Sequence, residues 1–225
     1  MDISNEFIFF ITMSIDLLLV LLATRWGKEW LKVLIVANLI VVQFSAVKNI
    51  QFFGFVANAS AVFYAAIFLA TDILTEHWGK KEGHLSVWKG FLAVVFVIGF
   101  GNALVYLSPI ETNEITNAFN ALFKSAPRIT IASLTAYVIA QNFDVWLYHK
   151  IYQKTKGKYL WLRNNGSTIV SQFLDSVIFF GLAFYGVIPN IWSLIITGYV
   201  AKLVVAIFDT PFIYLSYKLL GKSKQ

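Results

Sequence analysis

Residues 130–146 read TIASLTAYVIAQNFDVW, and residues 167–179 read STIVSQFLDSVIF. Both stretches are apolar enough to cross a bilayer. Each nevertheless carries a glutamine and, three residues on, an aspartate: Gln141 and Asp144, then Gln172 and Asp175. An ionisable side chain at the centre of a membrane helix costs roughly 2.5–3.5 kcal/mol on insertion scales, less near the ends. A chain that carries this pair twice has a use for polar groups inside the membrane.

Composition sets the class. The chain has 225 residues, 58% of them hydrophobic and 13% charged, with a mean hydropathy of +0.70. Soluble domains usually hold about a quarter charged residues, so this is an integral membrane protein. There are no cysteines, which excludes disulfides, thiolate metal sites and a cysteine nucleophile. The N-terminus, MDISNEF, is acidic and no small-residue cleavage site follows the first apolar run, so that run is expected to remain as an anchor.

A bilayer core takes roughly 20 mostly apolar helical residues. Such runs fall at 7–24, 31–47, 56–76, 88–107, 128–149, 167–187 and 190–215, the last two joined by a tight turn at Pro189–Asn190. The expected fold is an all-α, polytopic bundle of about seven transmembrane helices, six being possible, in one domain over residues 1–225. Fourteen of the eighteen lysines and arginines lie in the loops after spans one, three and five and in the C-terminal tail. Three, Lys48, Lys124 and Arg128, lie on the other side. Positive loops face the cytoplasm, which places the N-terminus outside and the C-terminus inside. The net charge of +6 is thereby explained without nucleic acid. In the longest outer loop, 108–127, Ile115, Phe119, Leu122 and Phe123 share a helical face, suited either to the outer membrane surface or to a lid.

Within or at the edge of the spans stand Asp16, Asp72, Glu76, Asp144, Asp175, Lys202 and Asp209, a burden on the order of 10 kcal/mol. Helical periodicity gathers them into stripes: Asp72, Thr75, Glu76 and Gly79; Ser133, Tyr137, Gln141 and Asp144; Thr168, Ser171, Gln172 and Asp175. Lys202 and Asp209, seven apart, are expected on one face of the last span. Asp72, Asp144, Gln172 and Asp175, with Gln141 a turn deeper, are expected to meet in one cluster. Paired amides and carboxylates suit a flat, nitrogen-rich ligand with several N–H donors; the same pairs can also serve to bond helices together. His77, His84 and His149 lack metal-ligand spacing, and no metal or cofactor is expected. No G-x4-G-K-[ST], G-x-G-D, G-x-S-x-G or H-E-x-x-H occurs, which disfavours an ATPase and an intramembrane enzyme.

The run ATDILTEHWGKKEG at 70–83, the spacing R-x4-S-x7-Q-x2-D from Arg128 to Asp144, and R-x8-Q-x2-D from Arg163 to Asp175 resemble the queuosine precursor transporter family, also called vitamin-uptake-transporter-like. The resemblance spans roughly residues 50–215. It implies a cytoplasmic-membrane protein of six or seven helices that imports 7-cyano- or 7-aminomethyl-7-deazaguanine and is not an enzyme. The positions matching the motifs are Asp72, Glu76, Arg128, Ser133, Gln141, Asp144, Arg163, Gln172 and Asp175. A separate ATPase subunit that energises a substrate-binding membrane subunit is the alternative, and homo-oligomerisation is left open.

Overall fold

The computed structural model describes residues 4–46, 48–124, 127–187 and 191–221. Helix α1 (Asn5–Trp26) starts at Ser4, whose hydroxyl accepts the Phe7 N–H at 3.2 Å. It ends at Gly27, and α2 (Lys28–Ser45) begins one residue later. The same joint recurs between α3 (Ala61–Trp78) and α4 (Lys80–Val105), at Gly79. Both joints read Trp-Gly-Lys, and both glycines hold a positive φ, +111° and +92°, which side chains with a Cβ rarely adopt. Charge ties the two joints together. Glu82 accepts Lys28 at 2.8 Å and Lys32 at 2.5 Å.

Helix α3 is the hub, packed by α1, α2, α4, α6, α8 and α9. Its residues from Ala65 to Thr75 are buried without interruption, as expected of a helix that is apolar on every side. Helices α6 (Pro127–Lys154) and α7 (Leu160–Phe184) form an antiparallel hairpin packed along its length. Ala132, Ala136 and Ala140, all buried on α6, give the close approach that small residues allow. The chain continues as α8 (Ile191–Ile207) and α9 (Thr210–Leu219). Helices α1, α4 and α7 are long and apolar enough to cross a bilayer. Leu18, Leu22, Leu92, Phe96, Phe100, Ile139 and Phe173 are exposed on the outside of the bundle, where water would penalise them and lipid does not.

Two expected spans are corrected. The span at 56–76 starts late, because Asn49–Phe52 and Phe55–Asn58 pair as an antiparallel hairpin, β1 and β2. Its two-residue turn, Phe53–Gly54, has positive φ at both positions, the conformation that matches strand twist. The span at 190–215 is broken after Ile207. Pro211 supplies no N–H to continue the α8 ladder, and it sits where a new helix tolerates it, in the first turn of α9. Lys202 therefore lies on α8, whereas Asp209 lies past its end, as the residue preceding α9. The expected turn at Pro189–Asn190 lies outside the described residues.

The outer-loop helix is α5 (Glu114–Phe123), capped by Asn113, whose side chain accepts the Thr116 N–H at 2.9 Å. Phe123 is buried against Gly101 and Phe44, whereas Ile115 is exposed. Helix α5 packs on α4.

Candidate functional site

The polar stripes do not merge into one cluster. They are stacked along α7 in three tiers, because a side chain every three or four residues advances about 5–6 Å along a helix.

The first tier is centred on Arg163, in the first turn of α7. Its guanidinium forks onto Glu76 of α3, Nε donating to Oε2 at 2.7 Å and Nη2 to Oε1 at 2.6 Å. Nη1 donates to the Gly157 and Lys158 carbonyls at 2.9 and 3.2 Å. Those carbonyls come from the α6–α7 turn, where Lys156, Gly157 and Tyr159 take positive φ. Glu76 also accepts the Tyr148 hydroxyl at 2.8 Å and the Tyr217 hydroxyl. The ion pair is buried, with side chains 1% and 2% exposed. Four helices, α3, α6, α7 and α9, are thus knotted at one carboxylate. Beside the knot, Thr75, Glu76, Gly79, Tyr148, His149 and Tyr152 line a cleft of about 140 Å³.

The second tier is acidic. Asp72 of α3 lies against Asp144 of α6 and near Asp209, the residue preceding α9. All three are 0% exposed. Asp144 accepts the Ser171 hydroxyl at 2.7 Å, and Asp209 accepts the Asn164 amide at 2.9 Å. Both oxygens of Asp72, one each of Asp144 and Asp209, and the Asn164 amide oxygen have no hydrogen-bond partner among the described residues. Burying unpaired acceptors is costly, so this acidic cluster is suited to something that brings donors or positive charge. Among the described residues no group of three or more His, Asp or Glu is arranged to hold a metal ion.

The third tier joins α7 to α8. Lys202 donates to Asp175, and its ammonium lies 5.4 Å from the centre of the Tyr64 ring. Tyr64, Phe68, Gln172 and Lys202 line a cavity of about 10 Å³, room for about one water.

The Gln-x2-Asp repeat now has a geometric sense. The bond from Ser171 to Asp144 fixes the register of the antiparallel pair α6 and α7. Residues 141 and 175 then stand at one depth, and residues 144 and 172 stand at the next, about 4.5 Å away. Equal spacing on antiparallel helices crosses the pairs, so each level holds one amide and one carboxylate. Gln141 and Gln172 are both 2% exposed, and the Gln141 amide nitrogen and Gln172 amide oxygen lack partners among the described residues.

Of the residues singled out in the sequence, Asp72 and Asp144 meet, Glu76 and Arg163 meet, and Gln172 and Asp175 border the third tier. Ser133 is half-buried two turns along α6 from Gln141. Arg128 is not brought to any tier. It is exposed and donates to the Leu182 and Tyr185 carbonyls, both at 2.7 Å, closing the C-terminal end of α7 as a basic side chain there should. The histidines have side-chain partners: His77 with Ser216 at 2.8 Å, His84 with Asn142 at 2.6 Å, and His149 with Gln153 at 3.1 Å. Tyr148, Tyr217, Asn164 and the pairing of Lys202 were not legible as site features. Asp209 carried a local signal, since Asp-Thr-Pro marks a helix start.

An apolar exterior around an interior threaded by ionisable side chains defines a helical membrane protein with a polar interior, the place where such proteins hold substrate and ion pathways. Residues 58–216 match the model of a family described as "Putative vitamin uptake transporter". A Bacillus subtilis (strain 168) protein named "Probable queuosine precursor transporter" is 31% identical over 225 residues, covering 99% of this chain and 98% of its own. The Escherichia coli (strain K12) "Queuosine precursor transporter" is 26% identical over 136 residues, 60% of this chain and 59% of its own. A Haemophilus influenzae "Probable queuosine precursor transporter" is 28% identical over 133 residues, 59% and 54% respectively. No solved structure gives a significant match. The chain belongs to the vitamin uptake transporter family, a family of transporters rather than enzymes.

Proposed function

We propose that this protein imports a queuosine precursor, 7-cyano- or 7-aminomethyl-7-deazaguanine, across the cytoplasmic membrane. The full-length relative named for that cargo supports the reading. The observation that carries it is the buried set of unpaired acceptors on Asp72, Asp144, Asp209 and Asn164, continued by the crossed Gln/Asp levels. A 7-deazaguanine carries N–H donors on its pyrimidine edge and a carbonyl beside them. A carboxylate accepts the first bidentately and an amide donates to the second.

In this reading the single transport domain crosses the membrane seven times, with the N-terminus outside and the C-terminus inside, as the lysine and arginine distribution favours. Gln141, Asp144, Gln172, Asp175 and Asp72 take the base, with Ser133 on the outer approach. The Glu76–Arg163 knot closes the inner end, and Arg128 holds the outer end of α7. Transport of radiolabelled base into cells that lack their own uptake system tests the function. Accumulation without added ATPase subunits is expected; accumulation only with such subunits would reassign the chain as a binding component, and none in either case would refute the reading.

A further inference from the structure

We propose that Lys202 is a specificity-determining residue, an internal counter-ion that makes the site prefer a neutral base over a cationic one. The inference rests on the substrate reading above and deepens it.

Lys202 is the cation of the third tier. It comes from α8, reaches Asp175 on α7, and lies beside the Tyr64 ring on α3. Gln172 borders the same cavity and keeps an unpaired, buried amide oxygen. With room for about one water, the cavity holds the ammonium in the space that a base bound to Asp175 would occupy. A base that enters must therefore take over the Asp175 carboxylate with its own N–H donors and displace Lys202. The side chain is tethered to α8 by four methylenes and lines the cavity together with Tyr64, Phe68 and Ala206, so the freed ammonium stays close. There it can donate to an acceptor on the far edge of the base.

The charge balance then selects. Asp175 and Lys202 sum to zero, and a neutral base leaves that sum unchanged. A nitrile at the 7-position also offers the displaced ammonium an acceptor. An aminomethyl group, protonated at neutral pH, would place a second ammonium in the same desolvated space. Like charges repel strongly where water is excluded, and a negatively designed clash of this kind is a common source of specificity.

The test is equilibrium binding of radiolabelled 7-cyano- and 7-aminomethyl-7-deazaguanine to the purified full-length protein, wild type and variants. Wild type is expected to bind the nitrile base more tightly. Lys202→Met should weaken the nitrile base and strengthen the aminomethyl base, moving the affinity ratio by at least about tenfold. Lys202→Arg, which keeps the charge, should keep the wild-type preference. Since Lys202→Met leaves Asp175 unpaired and can fail to fold, the electroneutral pair Asp175→Asn/Lys202→Met supplies a second readout. It should fold, should bind both bases more weakly because the Asp175 carboxylate is gone, and should show a smaller nitrile preference than wild type, because the repelling ammonium is gone too. A wild-type preference for the aminomethyl base, or a ratio unchanged in both variants while binding persists, overturns the assignment of Lys202 alone. Failure of wild type to bind either base overturns the substrate reading and this inference with it.

Discussion

Glu76→Gln separates a structural knot from a ligand contact. In the structure Glu76 spends both oxygens on protein partners: two donors from Arg163, and the hydroxyls of Tyr148 and Tyr217. Arg163 is 1% exposed, so the glutamine variant leaves a buried guanidinium with neutral acceptors alone: the amide, the Gly157 and Lys158 carbonyls and the Tyr217 hydroxyl. Removing one member of a buried pair costs about 3–5 kcal/mol, whereas replacing both members by apolar residues is often close to neutral. Glu76→Gln should therefore lower thermal stability in detergent by about 3–5 kcal/mol. Glu76→Gln combined with Arg163→Met should recover most of the loss, and the double-mutant cycle gives the coupling directly. Base affinity, measured on whatever fraction stays folded, should change little. Wild-type stability in Glu76→Gln, or a double variant no better than the single one, would refute the knot. Lost affinity with stability intact would place Glu76 against the ligand instead.

Asp72→Asn should raise stability by about 1–3 kcal/mol, because it replaces a buried carboxylate that has no hydrogen-bond partner among the described residues with a neutral amide able to donate to Asp144; uptake should be lost, so a more stable protein that transports normally would contradict the role of the acidic cluster. Gly101→Ala would bring a methyl within 2.0 Å of the Phe123 ring, expelling that anchor at a cost of about 1–3 kcal/mol; limited proteolysis should then cut near α5 faster than in wild type. Glu82, which precedes the span expected at 88–107, has its carboxyl pulled down to about 2 by hydrogen bonds from Lys28 and Lys32. A lowered folded-state value gives stability that is present above the ordinary carboxylate range and is lost as pH falls from about 4.5 towards 2. The thermal gap between wild type and Glu82→Gln should therefore be largest near neutrality and close in that acid window.

The sequence showed where the helices run but not how they meet. Hydropathy located α1, α4 and α7 because lipid-facing surface must be apolar, a property each segment carries by itself. The hairpin was missed, and residues 56–58 of its second strand were absorbed into span three because they continue the apolar run that follows; only Phe53–Gly54 marked the turn, and a Phe in a positive-φ turn is an unusual signal. The break at Asp209 was legible in Pro211 and was hidden by the continuous hydrophobicity around it. Within the site, helical spacing gave the faces of α3, α6 and α7 correctly. Partner choice was beyond it. Glu76 and Asp72 are one turn apart on a single face, yet one is saturated by Arg163 and the other is left unpaired. That difference depends on what α7 and α9 present at each depth, and no local pattern records it. Arg128 and Arg163 stand in similar motifs, but Arg163 starts its helix inside the bundle while Arg128 starts its own at the rim.

Binding of a radiolabelled 7-deazaguanine base to purified wild type, Asp144→Asn and Asp175→Asn, with thermal stability recorded on the same samples, addresses the crossed Gln/Asp levels most directly. Loss of one partner in a buried charged hydrogen bond costs about 2–5 kcal/mol of binding, roughly 30- to 4000-fold in affinity. A glue role would leave the amides bonding across the helices at about 0.6 kcal/mol per contact. Saturable binding to wild type, with a loss of at least about 30-fold in the folded fraction of both variants, is the predicted result; wild-type affinity in both variants would contradict the account.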